Sequence, residues 1–274
     1  MSRLIIPNLE QSVAETFTAT VSARPDERPR IERLWDGYIT ELIDRSTARK
    51  ACVIGCGPQP MMMKVIAERG IEVLGVDPNV QFVDTANAFL EGSARAFVGT
   101  AEAIPFDTQS QDVVICDAVL EHVDSMDMAL AEMYRVLRPG GVLYVSTTNR
   151  THFNILGYDH EFRVPFYNWL PRAVQESYVH AHLHFDPSLA NYASRPAVHW
   201  LMFADLCALG RRAGFAWFYA VIDLIHEDDE RLRRSALRRL LLRPFVIRAA
   251  KRNPWLRALA ITQTGGEIFM VKRG

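Results

Sequence analysis

Three groups of residues in this 274-residue chain have the types and spacing that chemistry needs. The first is Val53-Ile54-Gly55-Cys56-Gly57-Pro58, an apolar run entering a glycine turn. Glycines adopt positive φ and let a backbone pass close to a ligand. A helix starting after such a turn offers unpaired N–H groups and a positive dipole end to an anion such as a carboxylate. The second is Val76-Asp77-Pro78, roughly twenty residues on. A strand-end carboxylate at that spacing accepts hydrogen bonds from both hydroxyls of a ribose. A G-x-G alone is a weak signal, and Pro60 stands where a dinucleotide fingerprint has its third glycine. A pyrophosphate-binding loop is therefore disfavoured.

The third group is histidines. His122 follows the apolar segment 112–118 directly, and His160 lies in Tyr158-Asp159-His160-Glu161-Phe162-Arg163. An unperturbed imidazole titrates near pH ~6.5, so either is a candidate general base at a transfer site. A structural, hydrogen-bonded role is the alternative for His122. His180, His182 and His184 alternate in 179–186. On a strand they would share a face with Asp186, as zinc or iron ligands do. The preferred reading is a polar lining of the pocket or a network pinning the segment, with no metal.

Positioning these groups requires regular elements. Apolar runs at 51–55, 71–76, 95–99, 112–118 and 142–147 read as strands. Between them 61–69, 80–90 and 128–137 read as helices, the last with Asp127 as N-cap and Arg138-Pro139-Gly140-Gly141 as its stop. The rhythm predicts βαβ units and a parallel sheet covered on both faces. Its loops at the strand C-termini are where ligands bind. A helix is expected over 31–43, after a lead-in broken by Pro7, Pro25 and Pro29. Later elements are a helix at 200–213, a strand at 215–224 and a strand at 267–273. Residues 148–199 break the rhythm with aromatic, His, Pro and Asn residues. A segment that long suits a lid or substrate-binding insertion.

Two further segments, Gly99-Thr100-Ala101-Glu102-Ala103-Ile104-Pro105-Phe106 and Asp112-Val-Val-Ile-Cys-Asp-Ala-Val-Leu-Glu-His-Val123, complete an ordered set with the glycine turn, Asp77 and Arg138-Pro-Gly-Gly141. In this order they resemble the class I S-adenosylmethionine-dependent methyltransferases, of the ubiquinone/menaquinone-biosynthesis type. The resemblance covers roughly residues 50–147 and, more weakly, 200–224. It implies a doubly wound, Rossmann-like, seven-stranded α/β sheet, mostly parallel with an antiparallel last strand and an insertion after strand five. It also implies S-adenosyl-L-methionine as cofactor and S-adenosyl-L-homocysteine as product. Gly55, Cys56 and Gly57 would contact the methionine part and Asp77 the ribose. Pro78, Asn79, Ala101 and Glu102 would border the adenine. Asp117 and Ala118 would face the methionine and the transfer site, with His122 beside it. Relatives often carry Asp where Thr100 stands and Gly near Pro60, so adenine binding and turn shape are in question.

The organisation that follows is a lead-in and helix over 1–49, a cofactor-binding half over 50–147, an insertion over 148–199 and the remainder over 200–274. The expected reaction is methyl transfer to a small-molecule acceptor at O, N or C, with an apolar or lipid-linked one in view. Two other classes stay open: a non-catalytic cofactor-binding scaffold subunit and a nicotinamide oxidoreductase. The rich insertion argues against the first, the missing third glycine and the Arg-Pro-Gly-Gly turn against the second.

Composition bounds the rest. The four cysteines are scattered, without a CxxC pair, and suit buried positions in a reducing cytoplasm. No leader-like or membrane-spanning apolar run is expected. The net charge of −1 hides an asymmetry: 231–257 holds ten Lys/Arg and no acid, and the remainder balances at −11. The basic segment 231–252 reads as an amphipathic helix, either packed with a solvated arginine face or in peripheral contact with a membrane. Nucleic acid is not expected as a partner.

Overall fold

The computed structural model describes residues 26–44, 46–147, 166, 170–171, 173–175, 177, 199–225, 244–264 and 266–274. The lead-in before residue 26, His152, His160, His180, His182, His184 and the arginine-rich stretch 231–243 lie outside the described residues.

Helix α1 (Arg28–Leu34) carries Pro29 in its first turn. Proline is tolerated there because the missing N–H has no intrahelical acceptor anyway, so Pro29 starts this helix rather than breaking it. A π segment (Trp35–Ile39) and the short α2 (Thr40–Leu42) continue it. The chain then alternates: β1 (Lys50–Ile54), α3 (Met61–Ala67), β2 (Glu72–Asp77), α4 (Val80–Leu90), β3 (Arg95–Val98), β4 (Gln111–Asp117), α5 (Met126–Val136) and β5 (Leu137–Ser146). After the long connection come α6 (Phe203–Ala213), β6 (Trp217–Ala220), α7 (Val221–Leu224), α8 (Pro244–Arg252), α9 (Pro254–Thr264) and β7 (Ile268–Val271).

The seven strands form one sheet in the order β3-β2-β1-β4-β5-β7-β6. Pairs among β1 to β5 are parallel, and β7 runs antiparallel to both β5 and β6. This is the doubly wound arrangement expected, with the last strand reversed. Alternate residues of the central strands enter two cores. Ala51, Val53, Val113, Ile115, Val142 and Tyr144 join Ile31, Leu34, Trp35 and Tyr38 on one face. Cys52, Ile54, Val114, Cys116, Leu143 and Val145 join Leu130, Met133 and Leu206 on the other. Each large side chain so buried contributes roughly 1.5–3 kcal/mol. Helix α1 and the π segment therefore belong to the domain.

Several boundaries differ from the sequence reading. Helix α5 is capped by Ser125, whose side chain accepts from Met128 N, not by Asp127. Asp127 lies within the first turn and pairs with Arg212 of α6 at 2.8 Å. The strand expected over 215–224 stops at Ala220, its last partner being Ile268. There Asp223 folds back to accept from Ala220 N at 2.8 Å, which starts α7. Helix α6 begins at Phe203, after Asp205 accepts from Met202 N at 2.9 Å.

Arg138-Pro139-Gly140-Gly141 lies inside β5 as a bulge, with Gly140 at φ 76° and the register shifting between Gln111 and Val113. Its cause is a buried carboxylate. Asp112 accepts from Arg49 N and Lys50 N and pairs with Arg138 Nε at 2.5 Å. A Cβ at Gly141 would stand 2.9 Å from the Arg138 and Asp112 carbonyls, so the residue must be glycine. Nearby, Lys272 Nζ donates to Tyr134 O at 2.8 Å and Leu137 O at 2.6 Å, satisfying carbonyls at the end of α5. Asp112→Ala removes the carboxylate from two part-buried backbone hydrogen bonds and a guanidinium. It should destabilise the fold by about 3 kcal/mol, read as a lowered urea midpoint at unchanged slope.

Candidate functional site

The C-terminal ends of β1, β2, β3 and β4 carry the groups singled out by sequence. Beyond β1 the chain turns through Gly55 and Gly57, at φ 65° and 66°. Both conformations are those that favour glycine. Gly55 N and Cys56 N donate to Val76 O at 2.7 and 3.1 Å, which ties the turn to β2. A Cβ at Gly55 would strike Val119 at 2.3 Å, so that glycine serves packing against the β4 turn. A Cβ at Gly57 would meet no protein atom within 4 Å. Gly57 therefore presents bare backbone at the rim.

Asp77 ends β2 and is 6% exposed. Its Oδ2 accepts from Gly57 N at 3.0 Å and its Oδ1 from Asn79 N at 2.9 Å. Burial raises its pKa, and the two backbone donors offset this only in part. The carboxylate thus has an N–H on each oxygen, with acceptor capacity on both remaining. Asn79 caps α4, its Oδ1 accepting from Gln81 N and Phe82 N at 2.9 and 3.3 Å. Pro78 is exposed. Val98, in register with Asp77, is 51% exposed, and Val80 57%. Sequence reasoning did not single out these two valines; an apolar residue at a strand end reads simply as strand.

The segment after β3 is held by side chains of α5. Glu132 accepts from Ile104 N at 3.0 Å, and Arg135 donates to Ile104 O and Phe106 O at 2.9 Å each. The hydrogen bond from Arg135 lowers the Glu132 pKa, so the pair stays ionised. Ala101 is buried. The Glu102 side chain accepts from Asp124 N and Ser125 N at 2.8 and 3.3 Å, linking this segment to the start of α5.

At the end of β4, Asp117 meets a residue that sequence reasoning missed. Arg30 Nη2 of α1 donates to both Asp117 oxygens at 2.7 Å. Burial works against the Arg30 charge, but Asp117, with Tyr144 and Glu267 near it, more than offsets that and keeps it protonated. Tyr144 OH donates to Glu267 at 2.9 Å. Arg30 sits eighty-seven positions from Asp117 in an Arg-rich stretch, and no local pattern marks it.

Ala118 follows at φ 55°, unusual for a residue with a side chain, and donates its N–H to Ser146 O at 2.8 Å. Such conformations cost on the order of 1–3 kcal/mol and cluster at functional sites. His122 lies half-buried in the ensuing turn, its N–H donating to Val119 O. Beside it, Glu121 is buried and accepts from Thr147 Oγ1 at 2.8 Å. Cys56 is buried between the turn and Asp77; burial first, then that charge, push its thiol pKa up, so it is not a reactive thiol. The structure thus brings Gly55, Cys56, Gly57, Asp77, Pro78, Asn79, Ala101, Glu102, Asp117, Ala118 and His122 to one rim. His160 and most of the aromatic segment lie outside the described residues.

Comparison with known proteins agrees with this geometry. Residues 52–145 match a family model described as a methyltransferase domain. The chain is 37% identical over 131 residues to an uncharacterized methyltransferase of Mycobacterium tuberculosis, covering 47% of this chain and 50% of that one. It is 30% identical over 165 residues to a ubiquinone biosynthesis O-methyltransferase of Mesorhizobium japonicum, covering 57% and 59%. The chain thus spans about half the length of the curated relatives it matches. Among solved structures, the plantazolicin methyltransferase BamL, solved with a desmethyl substrate analogue and SAH, aligns over 96% of this chain and 90% of its own, with TM-score 0.56 and 15% identity. A Haloferax volcanii methyltransferase complexed with its Trm112 activator aligns over 97% and 100%, with TM-score 0.50 and 14% identity. Those two likenesses bear on the fold. The matched stretch, residues 52–145, is thus similar in sequence to methyltransferase domains, and it holds every described rim segment from the glycine turn to His122.

Proposed function

We propose that the chain binds S-adenosyl-L-methionine at the β1–β4 rim and transfers its methyl group to a small-molecule acceptor. The observation that carries this is the buried Asp77 carboxylate bridging Gly57 N and Asn79 N beside bare glycine backbone. A carboxylate raised in pKa by burial gains from further donors, and the two hydroxyls of a ribose supply them. Gly57 gives the methionine part close passage, and Pro78, Val80 and Val98 offer apolar contact to the adenine. Asn79, Ala101 and Glu102 shape the loops around it. Asp117 and Ala118 border the methionine and the point of transfer, with Cys56 contributing backbone.

The cofactor supplies a methyl group already activated on a sulfonium. What remains for the chain is to hold the acceptor close, aligned and shielded from water. Residues 148–199 are assigned to that cover, 50–147 to cofactor binding, 1–49 to the lead-in and packed helix, and 200–274 to completing the sheet. Where the acceptor atom must lose a proton, His122 takes it, with His160 the second choice. The acceptor is assigned an apolar or lipid-linked character, methylated at O, N or C. The basic segment 231–252 is assigned a peripheral membrane contact, and 244–252 is its described part.

Two measurements test this reading. Isothermal titration should show binding of S-adenosylmethionine and none of NADH, with Asp77→Ala weakening the former by about 1–3 kcal/mol, or roughly fivefold to 150-fold. An unchanged affinity in Asp77→Ala would remove the carboxylate from the site. Arg30→Met and Asp117→Leu should each weaken S-adenosylhomocysteine, and together by little more than either alone, a coupling of at least ~1 kcal/mol. Strictly additive losses would mean that Arg30 does not position Asp117.

A further inference from the structure

Helix α9 is amphipathic the wrong way round for a helix on the surface of a soluble domain. Its one charged residue, Arg257, turns inward. Nε and Nη2 donate to the two oxygens of Asp223 at 2.7 and 2.5 Å, and the guanidinium lies 5.7 Å from the Phe203 ring centre. Ile261 packs on the same inner side, with Ile222 and Ile225. The outward side carries Trp255 at 85% exposure, Leu259 at 56% and Leu256 at 38%. Trp255 and Leu259 stand one turn apart, so they project together.

The neighbouring α8 buries Ile247 and Ala250 and exposes Arg248, Lys251 and Arg252. No Asp or Glu occurs between 231 and 266. An apolar tip headed by tryptophan and bordered by the exposed Arg248 and Arg252 has the chemistry of an interfacial membrane contact. Tryptophan favours that layer because its ring is apolar and its N–H polar. Self-association fits less well. One Trp and two Leu fall well short of the about 800 Å² per partner that a stable interface needs, and two basic borders would repel.

Topology places this hairpin usefully. Strand β6 runs parallel with β1 to β5, so its end at Ala220 leads into α7 at the ligand rim. Strand β7 starts from that rim directly after α9. The hairpin is therefore at the edge of the sheet that carries Asp77 and Asp117, on the β6–β7 side.

We propose that the α8–α9 hairpin docks on an anionic bilayer surface, with Trp255, Leu256 and Leu259 entering the headgroup layer. The proposal deepens the peripheral-membrane reading of the basic segment and rests on it; it adds the inserting residues and their place on the β6–β7 side of the sheet. The test is flotation of the full chain with phosphatidylcholine vesicles, with and without phosphatidylglycerol. Binding is expected only to the anionic vesicles, and it should weaken as salt rises. Trp255→Glu/Leu259→Glu should lower the bound fraction about tenfold or more at unchanged Tm, and Arg252→Glu should weaken binding to anionic vesicles. Absence of flotation, flotation unaffected by Trp255→Glu/Leu259→Glu, or a dimer that this double substitution converts to monomer would each overturn the proposal. S-adenosylmethionine binding by the same preparations is read separately. Flotation without nucleoside binding would sink the methyltransferase reading and leave the docking, and nucleoside binding without flotation would do the reverse.

Discussion

The rim is organised by one buried carboxylate. Asp77 holds Gly57 N and Asn79 N at once, and so joins the turn after β1 to the start of α4. Taking a carboxylate out of water is costly unless donors surround it. Two backbone N–H groups meet part of that cost, and the raised pKa records what is left. In the proposed reading, two ribose hydroxyls would meet that remainder. Stability and binding thus pull on the same atom, as is common where a site is pre-formed.

The opposite edge of the sheet is built with a similar device for a different end. Asp112 collects Arg49 N, Lys50 N and Arg138, and Lys272 satisfies the carbonyls that close α5. Those contacts fix β4 and β5 at their N-terminal ends, so that Asp117 and Ala118 emerge at a set height at the other. There Arg30 reaches across from α1. Helix α1 and the π segment thus contribute to the core, through Ile31, Leu34 and Tyr38, and α1 to the polar groups of the rim.

Much of this was legible in the sequence, for a physical reason. Parallel strands buried on both faces read as apolar runs, and glycine turns with a strand-end Asp are local signals. Helix α4 shows its cap, Asn79, one residue before Val80. What was illegible depends on distant partners. Arg138-Pro-Gly-Gly does follow the end of α5, but its place as a bulge inside β5 shows only once Asp112 is seen to pair with Arg138. The strand expected to run to Leu224 ends early because β7 offers no partner beyond Ile268 and Asp223 turns back. Arg30, Glu132 and Arg135 act through contacts to other elements, and nothing in their own neighbourhoods announces it. The exposed face of α9 carries no local signal either: Trp255, Leu256 and Leu259 are of the types that pack inward, and only the inward turn of Arg257 shows which side faces out.

The account stands or falls on how a nucleoside meets Asp77. A crystal structure of the full chain grown with S-adenosylhomocysteine should place both ribose hydroxyls within about 3 Å of the Asp77 oxygens, with the Gly57 and Asn79 N–H bonds kept and the homocysteine directed toward Asp117. A nucleoside bound elsewhere on the sheet, or a ribose turned away from Asp77, would contradict it.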